Sequence, residues 1–233
     1  MDFSKPLLQG TLVKRYKRFL ADVVLKDGSM VTAHCANTGA MIGVQTPGSE
    51  VWLSPATNPG RKLKFTWELI RIEGRLVGIN TGHPNMIVAE AIKAGKIPEL
   101  SGYDDLRREV KYGKNSRIDI LLSGQARPDC YVEIKNVHLM RDSRIAEFPD
   151  SVSTRATKHQ FELGNMVEQG ARAVTVYLCQ REDCDAFRLA DDIDPAYVDA
   201  SEIAKLRGVE AVCYSCAITT DSILVNRQLE IVS

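Results

Sequence analysis

The chain has 233 residues, 44% hydrophobic and 26% charged, the profile of a globular protein with a packed core. Lysine plus arginine and aspartate plus glutamate both number 30, which excludes a uniformly cationic coat but not a local basic patch, because charge placement sets the field near a cleft. No run approaches the roughly 18 consecutive apolar residues of a membrane helix. The start MDFSKPLLQG lacks the basic and apolar regions of a secretory signal. A cytoplasmic location is expected, with the six cysteines reduced.

The first 80 residues read as β-rich. Candidate strands are Leu8–Tyr16, Phe19–Leu25, Met30–His34, Glu50–Leu53, Leu63–Ile72 and Leu76–Asn80, with Asp27-Gly28 and Glu73-Gly74 as turns. Short strands at close turn spacing, with no helix among them, predict a small barrel. In the first two strands Lys14, Arg15, Lys17 and Arg18 surround Tyr16, with Phe19 next. Cations neutralise phosphates and aromatic rings stack on bases. The competing reading is a solvated strand pair with Tyr16 and Phe19 in the barrel core. His34-Cys35 is a weak catalytic pair, because adjacent strand residues point to opposite faces. Asn37-Thr38-Gly39 reads as a turn, with His34 or Asn37 as candidates to line a cleft between domains.

Composition shifts near residue 80, giving two domains, 1–80 and 81–233. His83–Ile97 reads as the first helix, with Pro84 near its start and Gly95 at its end. Ser153 or Thr154 caps a second helix that Gly170 stops. Strands are expected at Arg172–Gln180, Val209–Thr219 and Ile223–Val232, with a short helix at Ser201–Arg207. This interspersion predicts an α/β domain with a mixed sheet. Arg181–Asp199 holds seven acids against two arginines and reads as a solvated loop. Cys213-x-x-Cys216 falls in a strand, where an offset of three splits the side chains between faces. That disfavours zinc.

The segment SRIDILLSGQARPDCYVEIKNV, Ser116 to Val137, reads as a hairpin centred on Ala126. That register sets Asp119 opposite Glu133 and Arg117 opposite Lys135. Ile118, Ile120, Leu122, Cys130, Val132 and Ile134 fill the other face and form the core side. Carboxylates directly opposed on a strand pair are destabilising. A divalent cation relieves them, and Mg²⁺ accepts one or two carboxylates while keeping waters that leave room for a phosphate. Asp119 and Glu133 are therefore the candidate metal ligands, with Mg²⁺ or Mn²⁺ as the cofactor. Lys135, two residues on, is placed to steer water or bind phosphate. Glu109, just before the hairpin, is a further candidate carboxylate. In the following helix Gln160 interrupts an apolar stripe of Ala156, Leu163 and Val167 and is a candidate to orient water or phosphate, with Lys158 and His159 beside it. The alternatives are a solvated hairpin face, with Asp119 paired to Arg117 or Lys135, and a Gln160 bonded to backbone.

Asp119, then EIK at Glu133–Lys135, then a helix bearing Gln160, resembles the PD-(D/E)XK nuclease superfamily. The usual proline before the aspartate is replaced by Ile118. A broader match runs through RYKRFLADV, AHCANTGAM, VWLSPATNPGRKLKFTWELI, EVKYGKNSRIDILL, YVEIKNVHL, FPDSVSTRATKHQFEL and IDPAY. In these motifs the chain resembles the sugar fermentation stimulation protein A family, departing at Ala156, where glycine is usual, and at Gln160, where leucine is common. The resemblance implies an N-terminal OB-fold-like β-barrel joined to a nuclease-like α/β domain, and a non-specific DNA-binding protein linked to regulation of maltose metabolism. Under it Glu109, Asp119, Glu133, Lys135 and Gln160 are the catalytic candidates. DNA contacts fall to Lys14, Arg15, Tyr16, Lys17, Arg18, Arg117 and Lys158. Two other functions stay open: an active Mg²⁺-dependent nuclease, and a barrel that binds RNA or oligonucleotides.

Overall fold

The computed structural model describes residues 1–58, 60–113, 116–142 and 144–232. Six strands form the first part: β1 (Leu8–Tyr16), β2 (Leu20–Leu25), β3 (Met30–Cys35), β4 (Glu50–Pro55), β5 (Phe65–Ile72) and β6 (Arg75–Gly78). Their order is β3-β2-β1-β4-β5-β6, and a further β3–β5 pairing closes the first five into an OB barrel. The strands alternate inward and outward residues, so Leu12, Val23, Ala33, Cys35, Val51 and Trp67 meet in a single interior cluster. Tyr16 is half-buried and Phe19 is 46% exposed, so Phe19 lies outside that core.

The second part begins with helix α1 (Pro84–Lys93), with Pro84 in its first turn and Lys93 in its last. A nine-stranded mixed sheet follows: β7 (Asp105–Tyr112), β8 (Ser116–Gly124), β9 (Arg127–Val137), β10 (Leu139–Asp142), β11 (Ile145–Phe148), β12 (Arg172–Cys179), β13 (Ala186–Leu189), β14 (Glu210–Ile218) and β15 (Ile223–Ile231). Its order is β10-β11-β13-β15-β14-β12-β9-β8-β7. Strands β7, β8 and β9 are antiparallel neighbours, whereas β9, β12 and β14 run parallel. Helices α2 (Thr154–Glu168) and α3 (Pro195–Leu206) complete the domain.

Both faces of the central strands are covered, as parallel pairing requires. Ile87, Val88 and Ala91 of α1 pack with Ile120, Leu122, Val132, Val174 and Val176, joined by Trp52 and Leu69 from the barrel. Leu163 and Met166 of α2 pack on the opposite face with Leu121 and Ala173. Ile118 belongs to this second cluster and not to the Ile120 face expected for it. The strict alternation breaks where the β8–β9 ladder ends, at Ile120–Val132.

The acidic stretch 181–199 is not the open loop that its charge suggested. It holds β13 and the start of α3. Asp194 caps α3 by accepting from Tyr197 N (3.2 Å), and Pro195 occupies the first helical turn. Asp194 also accepts Ser153 N at 2.8 Å, which ties the starts of α3 and α2 together. No helix among the described residues is long and apolar enough to cross a membrane.

Buried polar groups join the barrel to the sheet. Gly78 N donates to Gln180 O at 2.9 Å, and a Cβ on Gly78 would stand 2.5 Å from Gln180 Oε1, so a larger residue would have to displace the Gln180 side chain. Gln180 Nε2 donates to Asn136 Oδ1 at 2.5 Å. Asp150 accepts Met41 N at 2.9 Å and lies 3.3 Å from His138 Nε2. Burial opposes ionisation of Asp150, but His138, the Met41 N–H and Ser151 outweigh it and hold the carboxyl at about 2. Such a group stabilises the fold above the ordinary aspartate range, and the contribution is lost as pH falls through the folded value. Asp150→Ala strands a backbone N–H and should cost about 1–3 kcal/mol at neutral pH. Urea unfolding should show that deficit shrinking as pH falls from about 4 toward 2.

Candidate metal and nucleic-acid site

The paired strands β8 and β9 keep the expected register: Ile120 faces Val132, Leu121 faces Tyr131 and Leu122 faces Cys130. One residue beyond the last rung, Asp119 takes over from the ladder. Its Oδ2 accepts Ile134 N at 2.7 Å, so a side chain replaces a backbone acceptor. Asp119 and Glu133 are thus carried to the same point of two adjacent strands.

This charged face is not solvated. Glu133 is 3% and Lys135 8% exposed beneath α2. Glu133 Oε1 accepts Lys135 Nζ at 2.8 Å and His159 Nδ1–H at 2.5 Å, while Glu133 Oε2 is buried with no hydrogen-bond partner. A carboxylate only accepts, so the short contact places the His159 proton on Nδ1. Burial opposes ionisation of Glu133, but Lys135 and His159 outweigh it and lower its pKa. Asp119 behaves oppositely. Burial and then the charge of Glu133 push it up to about 6, against the pull of Ile134 N–H, Asn85 and Lys135. One carboxylate of the pair holds its charge at the expense of the other.

Asn85, in the first turn of α1, donates Nδ2 to Asp119 Oδ1 (2.8 Å) and to Glu109 Oε1 (2.9 Å). Glu109 is reached from a distorted strand. Its φ of +55° lies in the left-handed region within β7, which for a non-glycine residue costs on the order of 1 kcal/mol. The Arg108–Ile120 and Val110–Ile118 rungs bracket it. Asn85, Asp119, Glu133 and Lys135 line a cleft of about 310 Å³, with Thr81 and Arg155 among its other walls.

Gln160 does not turn toward this cleft. It is 1% exposed, and its Nε2 donates to Tyr197 OH at 2.9 Å and to Thr175 Oγ1 at 3.3 Å. Thr175 pairs with Glu133 across β12 and β9, so Gln160 serves the next strand over while its neighbour His159 reaches the carboxylate. Arg117 does not face Lys135. Its cross-strand partner is Lys111 of β7, because the β8–β9 ladder has already ended. Lys158 lies 3.4 Å from both Glu162 Oε1 and Ser116 Oγ.

In the barrel, Lys17 (φ 50°) and Arg18 (φ 65°) form the tight β1–β2 turn. Tyr16 OH donates to Asp22 at 3.1 Å and Lys14 lies 3.8 Å from the same carboxylate. Arg15 is half-buried and its guanidinium is spent on Gln45 and the carbonyls of Arg18, Asn37 and Gly39. Asn37 is buried inside this clamped loop and does not line the carboxylate cleft.

The donor set fits a hard divalent cation. Asp119 and Glu133 supply oxygens, Glu133 Oε2 has no other partner, and a cation would relieve the repulsion that raises Asp119. Among the described residues no three His, Cys, Asp or Glu side chains converge, so the remaining coordination would fall to water and ligand.

A closed OB barrel followed by an α/β domain with a mixed sheet is the class that this architecture defines. Residues 13–79 match the SfsA N-terminal OB domain, and residues 82–222 match the Sugar fermentation stimulation protein RE domain. A Sugar fermentation stimulation protein homolog from Paramagnetospirillum magneticum is 60% identical over 96% of this chain and 94% of its own length. One from Rhodospirillum centenum is 58% identical over 99% of each. A solved structure of Pyrococcus furiosus SfsA in complex with Ca²⁺ superposes with a TM-score of 0.89 at 25% identity, covering 100% of this chain and 98% of that one. The chain belongs to the sugar fermentation stimulation protein family.

Asp119 also leaves a signature in stability. In cation-free protein the folded state holds this proton up to about pH 6, while the unfolded chain releases it near 3.8. Stability therefore falls as pH rises through that window, by roughly 2–3 kcal/mol from this group. Urea midpoints measured in chelator from pH 4 to pH 7 should show the fall in wild type and its loss in Asp119→Asn.

Proposed function

We propose that this protein binds nucleic acid through its phosphate backbone and hydrolyses phosphodiester bonds at the Asp119–Glu133–Lys135 cleft with a divalent cation, Mg²⁺ or Mn²⁺. The observation that carries this reading is the buried Glu133, one oxygen held by Lys135 and His159 and the other unpartnered, beside a second carboxylate that it destabilises. The Ca²⁺ in the Pyrococcus furiosus relative supports a cation in this family.

Asp119 and Glu133 would hold the ion. When bound, it supplies positive charge at the phosphoryl oxygens and lowers the pKa of an attacking water. The other roles belong to the chain. Asn85 and the Ile134 N–H fix the Asp119 carboxylate from two sides. His159 fixes the rotamer of Glu133 from α2. Lys135 sets an ammonium in the cleft floor, where it can bind a phosphate oxygen as negative charge grows on it. Glu109, linked through Asn85, adds a third carboxylate at the rim.

Nucleic acid held without cleavage, in a regulatory role toward maltose metabolism, would use the same cleft. A cleavage assay separates the two. Purified wild type with Mg²⁺ or Mn²⁺ should cut DNA, and Asp119→Ala or Glu133→Ala should lower the rate by roughly 100-fold or more. Cleavage that survives both substitutions would remove the reaction from this cleft, and a wild type that binds but never cuts would leave the regulatory role.

A further inference from the structure

Of the barrel cations that the sequence offers to nucleic acid, Arg15, Arg18 and Lys14 are engaged by the protein itself, while Lys17 is exposed with no ion pair or hydrogen bond among the described residues. Arg15 donates to three backbone carbonyls, Arg18 Nε donates to Thr38 O at 2.8 Å, and Lys14 faces Asp22. The carbonyls of Asn37, Thr38 and Gly39 lie in the loop that leads to Met41, whose N–H is held by Asp150 of the second domain. The β1–β2 turn is therefore built as a clamp on the interdomain loop.

The nuclease-like domain presents the opposite situation. Lys111 and Arg117 are directly opposed across β7 and β8, both exposed. Opposed like charges destabilise a strand pair. Among the described residues neither joins an ion pair, and Arg117 makes a single hydrogen bond, to Glu109 O at 3.2 Å. They stand two residues from Glu109 and Asp119 along the same strands. Arg155, in the first turn of α2, lines the carboxylate cleft and is exposed, with no ion pair or hydrogen bond among the described residues. Lys135 lies in the floor of the same cleft. Neither α1 nor α2 carries an acid in its first turn, so the two helix starts that border the cleft add partial positive charge. The repulsion between Lys111 and Arg117 is relieved by a polyanion laid across them, and Arg155 offers a further cation on the other side of the cleft.

We propose that a nucleic-acid backbone crosses the protein along Arg155, Lys135, Arg117 and Lys111, over the carboxylate cleft, and that the barrel turn orders the domain junction instead of contacting phosphate. This rests on the nucleic-acid part of the reading above and does not require hydrolysis. Each lost phosphate contact lowers the salt dependence of binding by a nearly fixed increment, so the track can be mapped by charge removal.

The test is the affinity of a short random-sequence DNA duplex, measured by fluorescence anisotropy in chelator over a range of KCl concentrations. The double variant Lys111→Ala/Arg117→Ala should lower the slope of log affinity against log salt by about two, and Arg155→Ala by about one. Affinity at moderate salt should fall roughly tenfold or more for the double variant. Arg117→Lys should keep the wild-type slope, separating charge from packing. Lys14→Ala/Lys17→Ala should change the slope by less than about half a unit. A barrel variant that lowers the slope as much as the sheet variant overturns the assignment, as does a sheet variant that binds like wild type. A wild type that binds no duplex overturns it outright. Normal slopes with no Mg²⁺-dependent cleavage would remove the hydrolytic reading and leave this track standing. Normal cleavage with the slope change confined to the barrel would do the reverse.

Discussion

Two carboxylates are forced together where β8 and β9 part, and much of the surrounding structure answers that constraint. Glu133 is buried and Asp119 half-buried, so protein groups supply much of what water would otherwise give them. The protein settles Glu133 with Lys135 and His159 and leaves Asp119 with a carboxyl raised to about 6. Three elements from different parts of the chain supply the contacts: Asn85 from α1, His159 from α2 and the Ile134 N–H from β9. Each uses a polar group that would otherwise need another partner, so the site and the packing of its helices are specified together.

The barrel is part of the same arrangement. Glu68 of β5 is buried and accepts from Ser54 and Asn80 while binding His83, the residue that precedes α1. Burial opposes ionisation of Glu68, but His83, Ser54 and Asn80 together lower its pKa. A charge in the barrel wall thereby fixes where α1 begins, and the start of α1 fixes Asn85 against Asp119. Gln180, through Gly78, and Asp150, through Met41, pin the two domains at further points. The barrel acts on the site as a buttress, whatever else its outer surface meets.

Much of this was legible in the residues because β-strands have a period of two. Short strands at close turn spacing in the first 80 residues point to the barrel. Centring the hairpin on Ala126 sets a register that holds from Leu122–Cys130 to Ile120–Val132 and carries Asp119 toward Glu133. The misses share a cause, which is that contacts between distant segments leave no periodic trace. His159 and Gln160 are neighbours on one helix, and which of them reaches Glu133 depends on how α2 lies over β9 and β12. Gln160 drew notice as a polar break in an apolar stripe, yet its true partners, Thr175 and Tyr197, are equally buried polar groups on other elements. Asn85 carried no signal beyond its place after Pro84. Arg117 was assigned to Lys135 by extending a ladder past its end. Within 181–199, the capping pair Asp194-Pro195 was the cue that charge obscured, and the short strand β13 within it is ordered by parallel pairing to β11 and β15.

On the proposed reading, Asp119 and Glu133 are assembled to hold a divalent cation. Isothermal titration of Mg²⁺ into wild type and Glu133→Gln, which keeps the side-chain shape and removes the charge, tests it most directly. Wild type should show a single saturable binding event, with affinity reduced roughly tenfold or more in Glu133→Gln. Equal affinity in the two proteins, or no binding to wild type at any pH above about 6, would contradict it.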